Sequence, residues 1–353
     1  MTTGRVQTPL HTLYLGGGTP SVLSVTQTAR ILKTVHQTFG VTPDAEITME
    51  VNPGTVDAAY LSAIRQSGIN RLSIGAQSFD PAKLSFLSRI HTRDQVFETL
   101  SGADRAGFSN IGLDLMYALP KETETVWQTD LDTALALQLP HLSCYMLTLE
   151  PGTPFYGQYQ SGHFSPCDPA RCTDFFVHTS RVLEHAGYSH YEVSNFARNT
   201  HYRSMHNIHY WERGAYLGVG PSAHSFLPDG LSGSGGQRYG VGSGPVRAWN
   251  EADIQMWLDH LTADRLPWAG HEILSPAQEK LEQIMLGLRT DFGVDTSGLD
   301  PEILVLMNRL VDQGSGIFFY HSREGFSARH FRLTRSGLTC LDGIVDAIVQ
   351  KIT

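Results

Sequence analysis

Hydrophobic and polar positions fall into two alternating textures along the first half of the chain. Short β-rich runs end at Thr12-Leu13-Tyr14-Leu15, at Ile47-Thr48-Met49-Glu50-Val51-Asn52-Pro53, at Arg71-Leu72-Ser73-Ile74-Gly75-Ala76-Gln77-Ser78-Phe79, at Ile111-Gly112-Leu113-Asp114-Leu115 and at Leu142-Ser143-Cys144-Tyr145-Met146. Each is followed by a helix-like segment, and the repeat is about 27 to 37 residues, one strand plus one helix. Repeated βα units need a right-handed crossover at each step, so they curl into a full or partial barrel around a parallel sheet.

Such barrels carry their sites at the C-terminal ends of the strands. The first strand runs into Gly16-Gly17-Gly18-Thr19-Pro20, where glycine lets the backbone approach a ligand and proline suits the first helical turn. Glu50, Gln77 and Asp114 lie near the ends of otherwise apolar strands, in phase with that turn, which points to one shared site. Carboxylates there can accept ribose hydroxyls or an ammonium, and Gln77 offers both donor and acceptor. Arg89, in Leu87-Ser88-Arg89-Ile90-His91, can hold a carboxylate or form a surface ion pair.

GGGTP, EVNP, RLSIGAQSF, SRIH, IGLDLMYALP and YEVSNFAR, in that order between Gly16 and Arg198, resemble the radical S-adenosylmethionine (SAM) proteins related to oxygen-independent coproporphyrinogen III oxidase, a resemblance that covers nearly the whole chain. The resemblance implies a radical SAM partial (β/α) TIM-like barrel. In it Gly17, Gly18, Thr19, Glu50, Gln77, Arg89 and Asp114 face SAM. His206-Asn207-Ile208-His209-Tyr210-Trp211 is similar to the HNxxYW signature of the heme chaperones in that group. The function it implies is heme binding and transfer to an acceptor protein, with oxidative decarboxylation of coproporphyrinogen III as the alternative, or a SAM-binding paralogue without a cluster. An S-adenosylmethionine methyltransferase of Rossmann type is disfavoured, because GGGTPS does not fit GxGxxG.

The family's [4Fe-4S] cluster is held by CxxxCxxC after the first barrel strand, and this sequence has no such motif. Its cysteines are Cys144, Cys167, Cys172 and Cys340, with no three close together, so no metal ligands are identified. The expectation is that the first strand and the cluster loop are missing from the chain.

Between His185 and His224 histidines alternate with Tyr188, Tyr191, Tyr202, Tyr210, Trp211 and Tyr216, a composition suited to porphyrin packing and iron ligation. His206 is the leading candidate for an axial ligand, with His209 one helical turn on and Asn207, Tyr210 and Trp211 completing the signature. Tyr216 to Ser225 reads as a strand entering a Gly-rich turn stiffened by Pro221. Gly230 to Gly236 reads as a loop without catalytic chemistry.

A second domain opens at Ser275-Pro276, an N-cap serine with proline at the first helical position. Leu281, Ile284, Met285 and Leu288 keep the helical period. Helices over 300–312 and 336–352 flank a β-type pair near 316–320 and 330–333, which suggests a winged-helix-like α+β module. The expected organisation is a barrel over 1–200, a heme-signature and Gly/Ser-rich connection over 201–270, and the C-terminal domain over 275–353.

A formal charge of −9 argues against nucleic-acid binding. No apolar run approaches the ~20 residues of a membrane span, and no signal peptide is evident. Unpatterned cysteines suit a reducing, cytoplasmic setting. The expected partners are heme or a porphyrin and an acceptor protein; a second copy of the chain, as a homodimer, stays open.

Overall fold

The structure, a computed structural model, describes residues 9–228, 244–323 and 326–352; the Gly/Ser-rich loop expected at 230–236 lies outside them. The described chain divides into two units, one ending at His206 and the other beginning at Asn207.

The first unit is built on a seven-stranded sheet in the order β1-β2-β3-β4-β5-β7-β6. Strands β1 (Leu10–Leu15), β2 (Val41–Val51), β3 (Arg71–Gln77), β4 (Asn110–Tyr117) and β5 (His141–Met146) run parallel. The last two, β6 (Ser189–Glu192) and β7 (Asn195–Ala197), form a hairpin antiparallel to β5. This is a half barrel, the partial form of the full or partial barrel that the βα repeat predicts and the form that the resemblance implies.

Local signals place the crossover helices. α1 (Val25–Phe39) begins with a capping box between Ser24 and Gln27. Asp57 caps α2 (Ala58–Gln66), and Asp80 with Pro81 opens α3 (Pro81–Phe86). A second capping box, Thr92 with Gln95, starts α4 (Arg93–Arg105), and Thr123 caps α5 (Glu124–Ala136). After α6 (Pro154–Gln160), Asp168 and Pro169 open α7 (Pro169–His185), and α8 (Met205–Trp211) follows the sheet.

The pleat divides the sheet into two unlike faces. Leu13, Leu15, Ile47, Met49, Leu72, Ile74, Ile111, Leu113, Leu142 and Cys144 pack in one core with Leu61 and Ile64 of α2, Leu100 of α4, Trp127 and Leu131 of α5 and Phe175 and Leu183 of α7. Alternate positions point the other way: Thr12 and Tyr14, Glu46, Thr48 and Glu50, Arg71 and Ser73, Asp114, His141 and Ser143. Parallel strands buried on both faces are ordinarily apolar throughout. Here one face is polar, and the register pairs Tyr14 with Thr48, Glu50 with Ser73 and Asp114 with Ser143.

The second unit holds two three-stranded antiparallel sheets. One comprises β8 (His224–Leu227), β9 (Val246–Asn250) and β10 (Trp268–Ile273), which the hydrophobic pattern does not reveal. The strand expected at Tyr216 reduces to a single bridge to Phe226, the backbone pairing resuming only at His224. The other sheet comprises β11 (Val294–Asp295), β12 (Gly316–Arg323) and β13 (Phe326–Leu333). Helices Pro276–Gly287, Pro301–Asp312 and Leu341–Ile352 share a core with it through Ile284, Leu288, Ile303, Met307, Phe331, Ile344 and Ile348. The run expected as one helix over 336–352 is two, Arg335–Leu338 and Leu341–Ile352, broken at Thr339-Cys340.

Candidate functional site

The turn after β1 takes Gly17 and Gly18 into the left-handed region, at φ 76° and 55°. A side chain added at either would meet nothing within 4 Å, so both edges face open space in which a ligand fits against the backbone. Gly16 is different: a Cβ there would lie 2.5 Å from a Tyr14 ring carbon and 3.0 Å from Glu50 Oε1. Thr19 follows half-buried, its carbonyl accepting from the Val22 N–H at 3.1 Å.

Glu50 is held from two sides. Its Oε1 accepts from the Tyr14 hydroxyl at 2.9 Å and its Oε2 from the Gly17 N–H at 3.1 Å. Desolvation, and then the Glu50 charge, push the Tyr14 phenol far above its ordinary pKa, so Tyr14 is always a donor. Asp114 sits in the middle of β4 rather than near its end, deeper than the strand pattern suggests. The Ser73 hydroxyl donates to its carboxylate at 3.0 and 3.1 Å. Desolvation raises the Asp114 pKa; hydrogen bonds from Ser143 and Ser73 and the Arg71 charge oppose the rise, and Glu50 adds to it.

Gln77 ends β3 in the left-handed region at φ 65°, where the register with β4 shifts. Its amide folds back over Gly75, whose added Cβ would lie 2.8 Å from Nε2. Arg89 is exposed after a turn at Ser88, and desolvation lowers its pKa while the Asp114 charge raises it. The neighbouring His91 is structural: Nε2 meets the Ala76 carbonyl at 3.0 Å and Nδ1 the Asn52 side chain at 3.2 Å.

His206 belongs to this face. Its imidazole stacks on Tyr14 with ring centres 5.0 Å apart and planes at 19°, and Nδ1 hydrogen-bonds Thr12 Oγ1 at 2.8 Å. The Glu46 carboxylate accepts from the N–H groups of Met205 and His206 at 3.1 and 3.0 Å, capping the first turn of α8 from strand β2. Arg71 lies 3.8 Å from Glu46, both buried. The Ser204 N–H donates to the Tyr191 hydroxyl at 3.1 Å, and Tyr191 in turn meets His141 Nε2 at 2.9 Å. Four side chains of the sheet thus hold the entry to the signature helix.

His209 has a different environment. Its Nε2 meets the Ala215 carbonyl at 2.8 Å, closing the turn after the helix, and its ring fills the space beside Gly214. Tyr210 meets Tyr216 edge-on at 4.5 Å, while Asn207 and Trp211 are half-buried on the same helix. The structure therefore brings Gly17, Glu50, Asp114 and His206 onto one face, with Arg89 within reach of the Asp114 charge. Sequence reasoning missed Thr12, Tyr14, Glu46, Arg71, Ser73 and Ser143, whose signal is polar residues recurring at every second position of apolar strands.

Among the described residues no group of three or more His, Cys, Asp or Glu side chains could hold a metal ion. Cys144 is buried among the apolar residues of the sheet's packed face, Cys167 and Cys172 flank the start of α7, and Cys340 is exposed in the second unit. The thiols present do not fit a [4Fe-4S] cluster. The residues that the resemblance sets against SAM are chemically suited to it, since the open glycine edge and the two carboxylates match an ammonium and ribose hydroxyls.

Fold and site define a radical SAM half-barrel protein, and residues 3–134 match the Radical SAM superfamily. The chain is 38% identical over 286 residues to the heme chaperone HemW of Synechocystis, covering 81% of this chain and 66% of that one. It is 35% identical to HemW of Lactococcus lactis, covering 81% and 70%, and 36% identical to the mouse mitochondrial radical S-adenosyl methionine domain-containing protein 1, covering 97% and 76%. The chain belongs to the HemW family of radical SAM proteins. It spans about two thirds of the length of the Synechocystis relative. Coproporphyrinogen III oxidase (HemN) from Escherichia coli shares the fold, with a TM-score of 0.75, 22% identity and coverage of 97% of this chain and 78% of that one.

Proposed function

We propose that the chain binds heme through His206 and passes it to an acceptor protein, with SAM held on the polar face of the half barrel. The observation that carries this reading is the seating of His206: its Nδ1 is fixed by Thr12 and its ring by Tyr14, the kind of outer-shell support that orients a metal-ligating imidazole. Relatives that are named heme chaperones support it. His209 serves as a turn-closing residue, and Asn207, Tyr210 and Trp211 supply polar and aromatic surface on the same helix.

SAM supplies a sulfonium centre, an ammonium and ribose hydroxyls. Gly17, Gly18 and Thr19 line its approach, Glu50, Gln77 and Asp114 take its donors, and Arg89 takes its carboxylate. Tyr14 keeps Glu50 turned toward the glycine edge, and Ser73 keeps Asp114 oriented. Oxidation of a porphyrinogen is the weaker reading, because the relatives similar at 35–38% identity are named heme chaperones, whereas the likeness to the oxidase, at 22% identity, is one of fold. The working division is a SAM-binding barrel over 1–200, a heme-binding connection over 201–270 and a C-terminal platform over 275–353. No helix among the described residues is long and apolar enough to cross a membrane, and the free thiols suit a cytoplasmic setting.

Two variants test the reading. His206→Ala is expected to weaken hemin binding at least about tenfold in a Soret titration, whereas His209→Ala changes it little. Unchanged affinity in His206→Ala removes the assignment. Glu50→Ala is expected to weaken SAM binding about tenfold or more by calorimetry, through the loss of hydrogen bonds donated by the ligand to a charged acceptor. Equal affinity in a folded variant shows that SAM lies elsewhere.

A further inference from the structure

We propose that Tyr14 is a positioning residue shared by two ligand sites, so that occupancy of the SAM pocket changes the affinity of His206 for heme and the reverse. This rests on the functional reading above and adds to it a link between its two halves. The phenol oxygen is bound to Glu50, and the face of the same ring carries the imidazole of His206. A tyrosine ring moves as a rigid plate, so a shift of Glu50 toward a bound ligand tilts the surface on which His206 rests.

Three observations show that the contact is built into the chain. Gly16 is the residue that lets Tyr14 and Glu50 meet, since any side chain there would strike both. Thr12 and Tyr14 stand at alternate positions of β1, opposite Glu46 and Thr48 in register, so one strand edge holds the His206 ring while its neighbour caps the His206 backbone. Glu50 has one oxygen on Tyr14 and the other on the Gly17 N–H, so it joins the ring directly to the ligand-facing glycine turn.

Each ligand fixes Tyr14 in the orientation the other requires, so the second to bind meets a site already ordered. Linkage makes the effect reciprocal.

The test uses the full chain, with hemin as one probe and SAM as the other. In the parent, saturating SAM is expected to tighten hemin binding at least about fivefold. Tyr14→Phe keeps the ring against His206 and removes the bond to Glu50. Its ratio of hemin affinities with and without SAM is expected to fall within about twofold of one, in a variant that keeps the parental circular-dichroism spectrum. Tyr14→Leu, which removes the ring, is expected also to shift the Soret band of the hemin complex. A purely structural tyrosine would lower both affinities together and leave their ratio intact. Retention of the parental ratio in Tyr14→Phe overturns the proposal, as does a parent that binds both ligands independently. A parent that binds no hemin overturns the functional reading itself, and the first titration separates the two failures.

Discussion

Lys83→Met is expected to lower the stability of the barrel unit by about 3–5 kcal/mol, the cost of leaving buried charges without their partner. Lys83 is buried on α3, and its ammonium donates to Glu122 Oε1 at 2.5 Å, Asp130 Oδ2 at 2.8 Å and the Met116 carbonyl at 2.9 Å. Its charge also lies 5.0 Å from the Trp127 ring centre. Asp130 is committed elsewhere as well, accepting from Ser78 Oγ at 2.6 Å and the Phe79 N–H at 2.8 Å. Without the ammonium, two carboxylates face each other out of water. Desolvation already raises the Glu122 pKa, with the Lys83 charge opposing it, so the variant should regain stability as the pH falls and Glu122 takes up a proton. The measurement is the urea midpoint by circular dichroism at two pH values. Neutralising the whole set, in Lys83→Met/Glu122→Gln/Asp130→Asn, should recover much of the loss; no recovery would mean that packing rather than charge sets the effect.

Glu192→Gln is expected to stabilise the protein at pH 8 by up to about 3 kcal/mol and to leave it nearly unchanged below pH 4.5. Burial pushes the Glu192 carboxyl up to about 7, against the ordinary 4.5, while the Ser194 N–H and Asn195 oppose the rise. A raised carboxylate pKa means that the folded chain keeps a proton which the unfolded chain releases. Stability therefore falls as the pH rises from about 4.5 to about 7, then levels. Buried His141 works in the opposite sense: its pKa is pushed down, so its contribution grows with pH up to its ordinary value. The difference between parent and variant across pH 5 to 8 isolates Glu192. Parallel curves would show that its carboxylate is not the titrating group.

The fold was largely legible because its strands alternate with capped helices of ordinary length. The strands β1 to β5 and the caps at Asp57, Thr92, Asp168 and Ser275 follow from local chemistry. Glu50 and Gln77 stand out because they interrupt apolar runs near glycine. What stayed hidden depends on register, which a single sequence does not display. Thr12 and Tyr14 look like ordinary β formers until β1 is laid beside β2. Glu46 looks like a surface acid until it caps a helix lying far along the chain. Lys83 reads as a solvent lysine in Pro-Ala-Lys-Leu, and only the fold brings Glu122 and Asp130 to it. The strands β8 to β10 are short and mixed in character, as Val246–Asn250 shows, and give no run to detect.

The two-sided sheet bears on how such a protein can change over time. Residues at one parity of each strand pack against the crossover helices, and residues at the other parity form the polar face that lines the site and seats the first turn of α8. Exchange at Thr48, Ser73 or Ser143 alters the lining while Met49, Leu72 and Leu142 beside them keep the frame intact. Innovation and durability are thus assigned to alternating letters of the same short words. A change of cargo or chemistry on this sheet is then written at one parity, with the apolar positions of the other parity left as they are.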